Sequence, residues 1–170
     1  DRVLDGYLRV RDISPADTVI DVGAYPGEFS IYAAKQGAEV YALEPDPDRR
    51  ADLHQNLEIN DFTGTVQVLD AALSSDESPR STTLDRLMQT ERIDSLDFVK
   101  MDIEGAEIDA VRGGVETLQS YAPFLAIASY HEVDGEKTCY ELERLFQDRE
   151  WNVETRYRRH LTTYAWNDDA

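Results

Sequence analysis

The sequence predicts an α/β fold built on a mostly parallel sheet, and three observations carry that expectation. Apolar runs of strand length alternate with segments of helical period, the order in which a parallel sheet acquires covering helices. Residues 19–46, VIDVGAYPGEFSIYAAKQGAEVYALEPD, pass from one apolar run through a turn and a helical pattern into a second run that stops at an acid and a proline. That is the outline of a nucleotide-binding βαβ unit. The segment that follows, DPDRRADLHQNLEIN, carries the start and stop marks of a helix in its own residues.

Residues 1–14 are expected to form a lead-in helix. The first strand is TVIDVG and the second EVYALE. In the helix expected over 46–60, Asp46 can cap the free N–H groups, Pro47 fits the first turn, Leu53 and Leu57 share a face, and Asn60 can end it. The third strand is expected over TVQVLDAAL, before the polar loop SSDESPRS at 74–81. The fourth strand is LDFVKMDI; after it AEIDAVRGG reads as a helix stopped by Gly113 or Gly114, and VETLQSYAP as a shorter one. PFLAIASY is the fifth strand. WNVETRY and HLTTYAWN follow a further helix and lie close enough in sequence to pair antiparallel.

A chain of 170 residues is the usual size of one domain with one core, so residues 1–170 are read as a single domain. No apolar run approaches the roughly 20 residues that span a bilayer, and no charged-then-apolar start suggests export; a soluble, cytoplasmic protein is expected. Cys139 is the only cysteine, which excludes an internal disulfide and a multi-thiolate zinc site. Its place beside Leu142, Leu145 and Phe146 reads as a buried structural thiol. With 35 acidic against 17 basic residues the net charge is −18. That surface repels nucleic acid and anionic membranes, leaving a small molecule as the expected partner. Arg156, Arg158, Arg159 and His160 form a local basic cluster that can hold one small anion, although solvated strand ends explain it as well. The few lysines, Lys35, Lys100 and Lys137, and the many acids suit a protein working in concentrated salt, where screening relieves carboxylate repulsion.

The turn after the first strand narrows the ligand. A dinucleotide site uses three glycines spaced G-x-G-x-x-G to bring backbone against a pyrophosphate. Here only Gly23 and Gly27 are present, and the charge of Glu28 in the next helix's first turn would oppose a phosphate. S-adenosylmethionine, with an amino acid end and a sulfonium in place of phosphates, meets no such repulsion. Glu44, at the tip of the second strand, can accept hydrogen bonds from both ribose hydroxyls, a role it would serve equally for NAD.

The string FVKMDIEGAEIDAVRGG, residues 98–114, places Lys100 and Asp102 at the end of the fourth strand and Glu104, Gly105 and Glu107 at the entry of the following helix. With VIDVGAYPGEFS, ALEPDPD, AALS and TTLDRL, it resembles the FkbM-type family of S-adenosylmethionine-dependent methyltransferases, whose hallmark is a Lys-x-Asp-x-Glu-Gly-x-Glu string before a helix. The resemblance covers most of the chain. It implies the Rossmann-like class I methyltransferase fold, a seven-stranded, mostly parallel sheet between helices, in the order 3-2-1-4-5-7-6 with strand 7 antiparallel. It further implies that Asp21, Gly23, Ala24 and Gly27 surround the methionine end of the cofactor. Glu44 would take the ribose, Asp70 and Ala71 would flank the adenine, and Asp102 and Glu104 would border the place where donor and acceptor meet. Two departures stand out: Tyr25-Pro26 replaces the Asn-Ile common in the family, and 74–81 is shorter than the strand-bearing segment expected there.

Plain structural roles compete with these. Asp21 can cap a turn, and Glu107 reads best as a favourable acid in a helix's first turn. Asp102 favours function, because a carboxylate in an apolar strand is costly unless paired or solvated, and Lys100 on the same strand face can be its partner. His131 follows the fifth strand at the level where α/β sites open. For a hydroxyl acceptor, His131 is the first candidate base and Asp102 the second, with Glu104 positioning the acceptor or a cation. Asp102, Glu104 and His131 also make a set that suits magnesium, and metal dependence is left open. The expected activity is O-methylation of a small hydroxylated molecule such as a sugar or secondary metabolite. The alternatives are an NAD-dependent oxidoreductase, disfavoured by the glycine pattern and by the lack of a Tyr-x-x-x-Lys pair after the fifth strand, and a non-catalytic nucleotide-binding module.

Overall fold

The computed structural model describes residues 4–156 and 160–167. β1 (Thr18–Val22) is buried at every position, which is why its apolar residues, Val19, Ile20 and Val22, serve both faces of the sheet instead of alternating. It lies between β2 (Glu39–Leu43) and β4 (Phe98–Met101), parallel to both. β3 (Thr65–Leu69) forms one edge, half-exposed where β1 is buried. Beyond β4 come β5 (Phe124–Ala128), parallel to it, then β9 (Thr162–Trp166), antiparallel to β5, and β8 (Asn152–Arg156) at the far edge. The sheet order is therefore β3-β2-β1-β4-β5-β9-β8. This is the expected topology; the last two strands carry higher numbers because a two-strand ribbon, β6 (Glu132–Val133) and β7 (Glu136–Lys137), precedes them.

The helices divide between the faces. α1 (Leu4–Tyr7), α2 (Glu28–Gln36) and α3 (Pro47–Glu58) cover one side. There Tyr7, Phe29, Ala33 and Ala34 pack on Val19, Val40 and Phe98, and Leu53 packs on Ala42. α4 (Leu84–Glu91), α5 (Glu107–Arg112), α6 (Val115–Tyr121) and α7 (Thr138–Gln147) cover the other, packing Leu84, Val111, Leu118 and Phe146 on Ile20, Val99 and Ile127. The crossovers change face between β1 and β4, so a crevice opens at the carboxyl ends of those strands, where open α/β sheets hold ligands. Among the described residues no helix is long and apolar enough to cross a membrane.

The α3 boundary follows its caps. Asp46 accepts from the N–H groups of Asp48 and Arg49, and Pro47 occupies the first turn; the end falls at Ile59, just before the expected Asn60, whose side chain instead bonds Asn56 O and Lys35 Nζ. Among the described residues of the lead-in helix expected over 1–14, Leu4–Tyr7 are helical and residues 11–14 are irregular. The third strand stops at Leu69 because the chain peels away to bridge Leu73 to Thr82, closing 74–81 as a tight loop. Cys139 is buried on α7, as expected. Arg158 and Arg159 of the basic cluster lie outside the described residues, and Arg156 pairs with Glu154.

Candidate active site

The carboxyl ends of β1 and β4 approach so closely that only a glycine fits between them. A Cβ on Gly23, whose φ is +74°, would stand 2.1 Å from Asp102 O. Gly27 (φ +108°) opens α2 without a side-chain cap, and its backbone turn buries Ala24 against Leu53 and Ala42. Glu28 points to solvent. Behind this turn Asp21 is fully buried; its Oδ2 accepts from Ser30 Oγ at 2.7 Å, and Lys100 Nζ lies 2.9 Å from its Oδ1. That second contact is an ion pair set off the hydrogen-bond direction, since Oδ1 has no aligned donor. Lys100 also donates to Gly23 O at 2.7 Å. Lys100 therefore belongs to Asp21, its direct neighbour across the β1–β4 pairing, and not to Asp102 as the strand-face spacing suggested.

Glu44 is 3% exposed. Its Oε1 accepts from Asp46 N at 3.0 Å and its Oε2 from Tyr25 N at 3.4 Å, so backbone groups fix the carboxylate at the tip of β2. A cavity of about 210 Å³ is lined by Gly23, Glu44, Ala71, Asp102, Ile103 and Glu104. It meets a wider cleft of about 760 Å³ at Pro45 and Ala71, bounded by Asp70 and the 78–82 turn. Asp70 is held there by a two-point bond from Arg50, at 3.0 and 2.9 Å, while Arg50 also reaches Glu44 O at 2.7 Å.

The other wall is built of side chains from four distant segments. Asp102 Oδ2 accepts from Tyr7 OH at 2.8 Å and Oδ1 from Tyr130 OH at 3.3 Å. His131 Nε2 lies 3.9 Å from Oδ1, and His160 Nε2 lies 4.0 Å from Oδ2. The Tyr130 ring stands 4.2 Å from the His131 ring and 4.7 Å from the His160 ring, centre to centre. Burial pushes Tyr7 far above the usual phenol range, with Asp102 adding to the effect, and pushes Tyr130 up to about 12 for the same two reasons. Burial lowers His160 below the ordinary imidazole value, with Asp102 pulling the other way.

Glu104 and Glu107 exchange the places the sequence suggested. The turn after β4 puts Glu104 at φ +55° and Gly105 at φ +106°. It throws Glu104 outward, 77% exposed and 3.9 Å from Arg49, on the rim of the cavity and away from His131. The same turn brings Glu107 inward, fully buried. There its carboxylate accepts from Ile103 N at 3.1 Å and Gly105 N at 3.0 Å, donors left free at the start of α5. His131 Nδ1 lies 3.0 Å from Glu107 Oε1 without an aligned hydrogen bond. Donor atoms of Asp102, Glu107 and His131 fall within 4.8 Å of one another, so Glu107 takes the place given to Glu104 in any cation-holding set. Tyr7 is a site residue that the sequence does not single out. His160 belongs to the basic cluster that sequence alone reads as a small-anion site or as solvated strand ends, and the antiparallel return of β9 turns it inward to Asp102.

Several solved structures share this architecture. The methyltransferase FkbM structure from Methylobacillus flagellatus superposes with a TM-score of 0.78 at 22% identity over 96% of this chain; the chain spans 47% of that protein's length. A SAM-dependent methyltransferase from Aquifex aeolicus gives 0.59 at 18% identity, covering 96% of this chain and 87% of that one. TrmK of M. capricolum, solved with S-adenosyl-homocysteine, gives 0.63 at 14% identity, covering 97% and 66%. No curated protein matches the sequence at a significant level. The profile of the methyltransferase FkbM domain matches residues 71–158, more than half of the 170 residues, and the chain belongs to that family.

Proposed function

We propose that the chain is an S-adenosylmethionine-dependent methyltransferase acting on a hydroxyl of a small acceptor such as a sugar or secondary metabolite. One observation carries the reading: a single cavity is lined at once by Gly23 and Glu44, suited to hold a nucleoside, and by Asp102, the centre of the acid–base cluster. The residues fit this cofactor better than a dinucleotide. Glu44 is a buried acceptor with both oxygens oriented by backbone N–H groups, and the α2 entry carries the exposed Glu28 instead of a phosphate cradle. S-adenosylmethionine supplies a methyl group already activated by a sulfonium.

The chain's own residues then bind, align and accept a proton. Glu44 accepts the ribose hydroxyls, Gly23 lets the ligand lie against bare backbone, and Asp70 and Ala71 flank the base. Asp102 orients the acceptor, which is the main source of rate in a displacement of this kind. His131 takes the hydroxyl proton at Nε2, the nitrogen facing Asp102, while Glu107 positions the ring from its Nδ1 side. The net charge of −18 argues against a nucleic-acid acceptor.

Calorimetric titration with S-adenosylmethionine, S-adenosylhomocysteine and NAD, in dilute and concentrated potassium chloride, tests the reading. Binding of the first two and not NAD is expected, with tighter binding or higher stability in salt; selective binding of NAD overturns it. His131→Ala is expected to lower turnover roughly 100-fold while leaving S-adenosylhomocysteine affinity unchanged, and equal loss of both sinks the base assignment. Turnover that survives a chelator is expected from this arrangement, and loss on chelation would assign the Asp102, Glu107 and His131 donors to a cation instead.

A further inference from the structure

Asp102 is held asymmetrically. Its Oδ1 faces Tyr130, a residue 36% exposed, and the ring of His131. Its Oδ2 is turned inward to Tyr7, which is 2% exposed and lies 95 positions away in the chain. The Tyr7 ring is itself wedged, edge-on to His160 at 5.4 Å and to Phe29 at 6.0 Å, with Lys100 Nζ 5.5 Å from its centre. The backbone beside it is latched as well, because Tyr164 OH in β9 donates to Gly6 O. A phenol this enclosed cannot swing away, and its proton points at one carboxylate oxygen.

We propose that Tyr7 is a positioning residue of the methyl-transfer site: its hydroxyl ties down Asp102 Oδ2, so that Oδ1 alone is presented to the acceptor and to His131. The inference rests on the methyltransferase reading and deepens it, making the segment before β1 part of the acceptor side. A carboxylate is a symmetric acceptor, and without a fixed donor it presents either oxygen at any rotation about its last bond. A charge-assisted hydrogen bond from a buried phenol removes that freedom. Tyr7 keeps its proton, since burial and the adjacent carboxylate both oppose phenolate, so it acts as a donor and takes no proton from the acceptor. The charged and titratable groups around it are Asp102, Lys100, Asp21, Tyr130 and His160.

The test compares Tyr7→Phe, which removes one oxygen and keeps the ring, with Tyr164→Phe, which loosens the latch on Gly6 without touching Asp102. Ring resonances of the histidines are followed against pH by NMR, with His54 on the exposed face of α3 as an internal reference. In Tyr7→Phe the carboxylate loses a stabilising donor and attracts the imidazole of His160 more strongly, so the midpoint of His160 rises by roughly half a pH unit relative to His54. Tyr164→Phe leaves it in place. Identical midpoints in wild type and Tyr7→Phe overturn the proposal, as does an equal shift in both variants, which would make Tyr7 a purely structural anchor. With an acceptor in hand, Tyr7→Phe lowers kcat roughly tenfold with cofactor KM unchanged; a loss confined to KM also overturns it. S-adenosylhomocysteine titration of the wild type keeps the two readings apart. Failure to bind removes the methyltransferase reading, whereas binding with an unshifted His160 removes only the role of Tyr7.

Discussion

The two walls of the crevice are made differently. On the β1–β2 side Gly23, Gly27 and Glu44 lie within one βαβ unit, and backbone does most of the work: bare Cα atoms at Gly23 and Gly27, and main-chain N–H groups that aim Glu44. On the β4–β5–β9 side Tyr7, Asp102, Tyr130, His131 and His160 come from four separate segments and meet through side chains. The contrast teaches a division of labour. A wall made of backbone recognises an invariant ligand, because main-chain geometry is insensitive to substitution, whereas a wall of side chains can be re-chosen for a different acceptor without disturbing the first.

Lys100 is where that division is easiest to break. It sits in β4 yet pairs with Asp21 and Gly23 O on the other wall, with side-chain exposures of 7% for Lys100 and 0% for Asp21. Lys100→Met strands a buried carboxylate and is expected to cost about 3–5 kcal/mol of stability. It should weaken cofactor binding and turnover together, since the seam holds both walls. Urea unfolding alongside S-adenosylhomocysteine titration checks this; a variant that loses turnover alone, at wild-type stability, would show that the seam does not join them. The double replacement Asp21→Leu with Lys100→Met removes both charges and should recover much of the stability.

Glu44→Gln sharpens the contrast from the other direction. The amide keeps the shape and loses an ionised acceptor, so S-adenosylhomocysteine should bind roughly tenfold more weakly, with turnover at saturating cofactor nearly unchanged. An equal fall in saturated turnover would mean that Glu44 acts on the chemistry as well. That this side was legible in the sequence follows from its construction. Asp46 and Pro47 act on residues a few positions away, so their spacing states their geometry, and Gly23 and Glu44 lie within one βαβ unit whose outline the sequence carries. The second wall was half legible. Asp102 announced itself as a charge in an apolar strand and His131 as a histidine at a strand tip. Tyr7 gave no signal and His160 only that of a basic cluster, because their role exists only once α1 docks and β9 returns antiparallel. The partner of Lys100 was misjudged for a metric reason: positions two apart on a strand are roughly 6.6 Å from one another, while neighbouring strands run about 4.8 Å apart, and Asp21 is the neighbour across. Glu107 looked like a solvent-facing helix acid until the left-handed turn at Glu104 and Gly105 rotated it inward.

The smallest expected effect separates the walls by pH. Tyr7 and Tyr130, both on the acceptor side, have phenols raised by burial and by Asp102, Tyr130 to about 12 and Tyr7 beyond the usual range. A folded pKa above the unfolded value of roughly 10 means the unfolded chain loses protons first. The stability these phenols contribute is therefore complete below about pH 10 and is lost as the pH rises further. Tyr32 in α2 and Tyr41 in β2 are raised by burial too, so the share that belongs to the Asp102 side is read as the difference between wild type and Tyr7→Phe. Hydrogen exchange is too fast to follow in alkali, so the check is thermal unfolding between pH 9 and about 11, with and without S-adenosylhomocysteine. The melting temperature should fall more steeply above pH 10 in wild type than in Tyr7→Phe, while the increment given by the ligand stays constant. A ligand increment that vanishes in step with the melting temperature would mean that the two walls loosen as one unit, and that the separation of backbone from side chain does not extend to their stabilities.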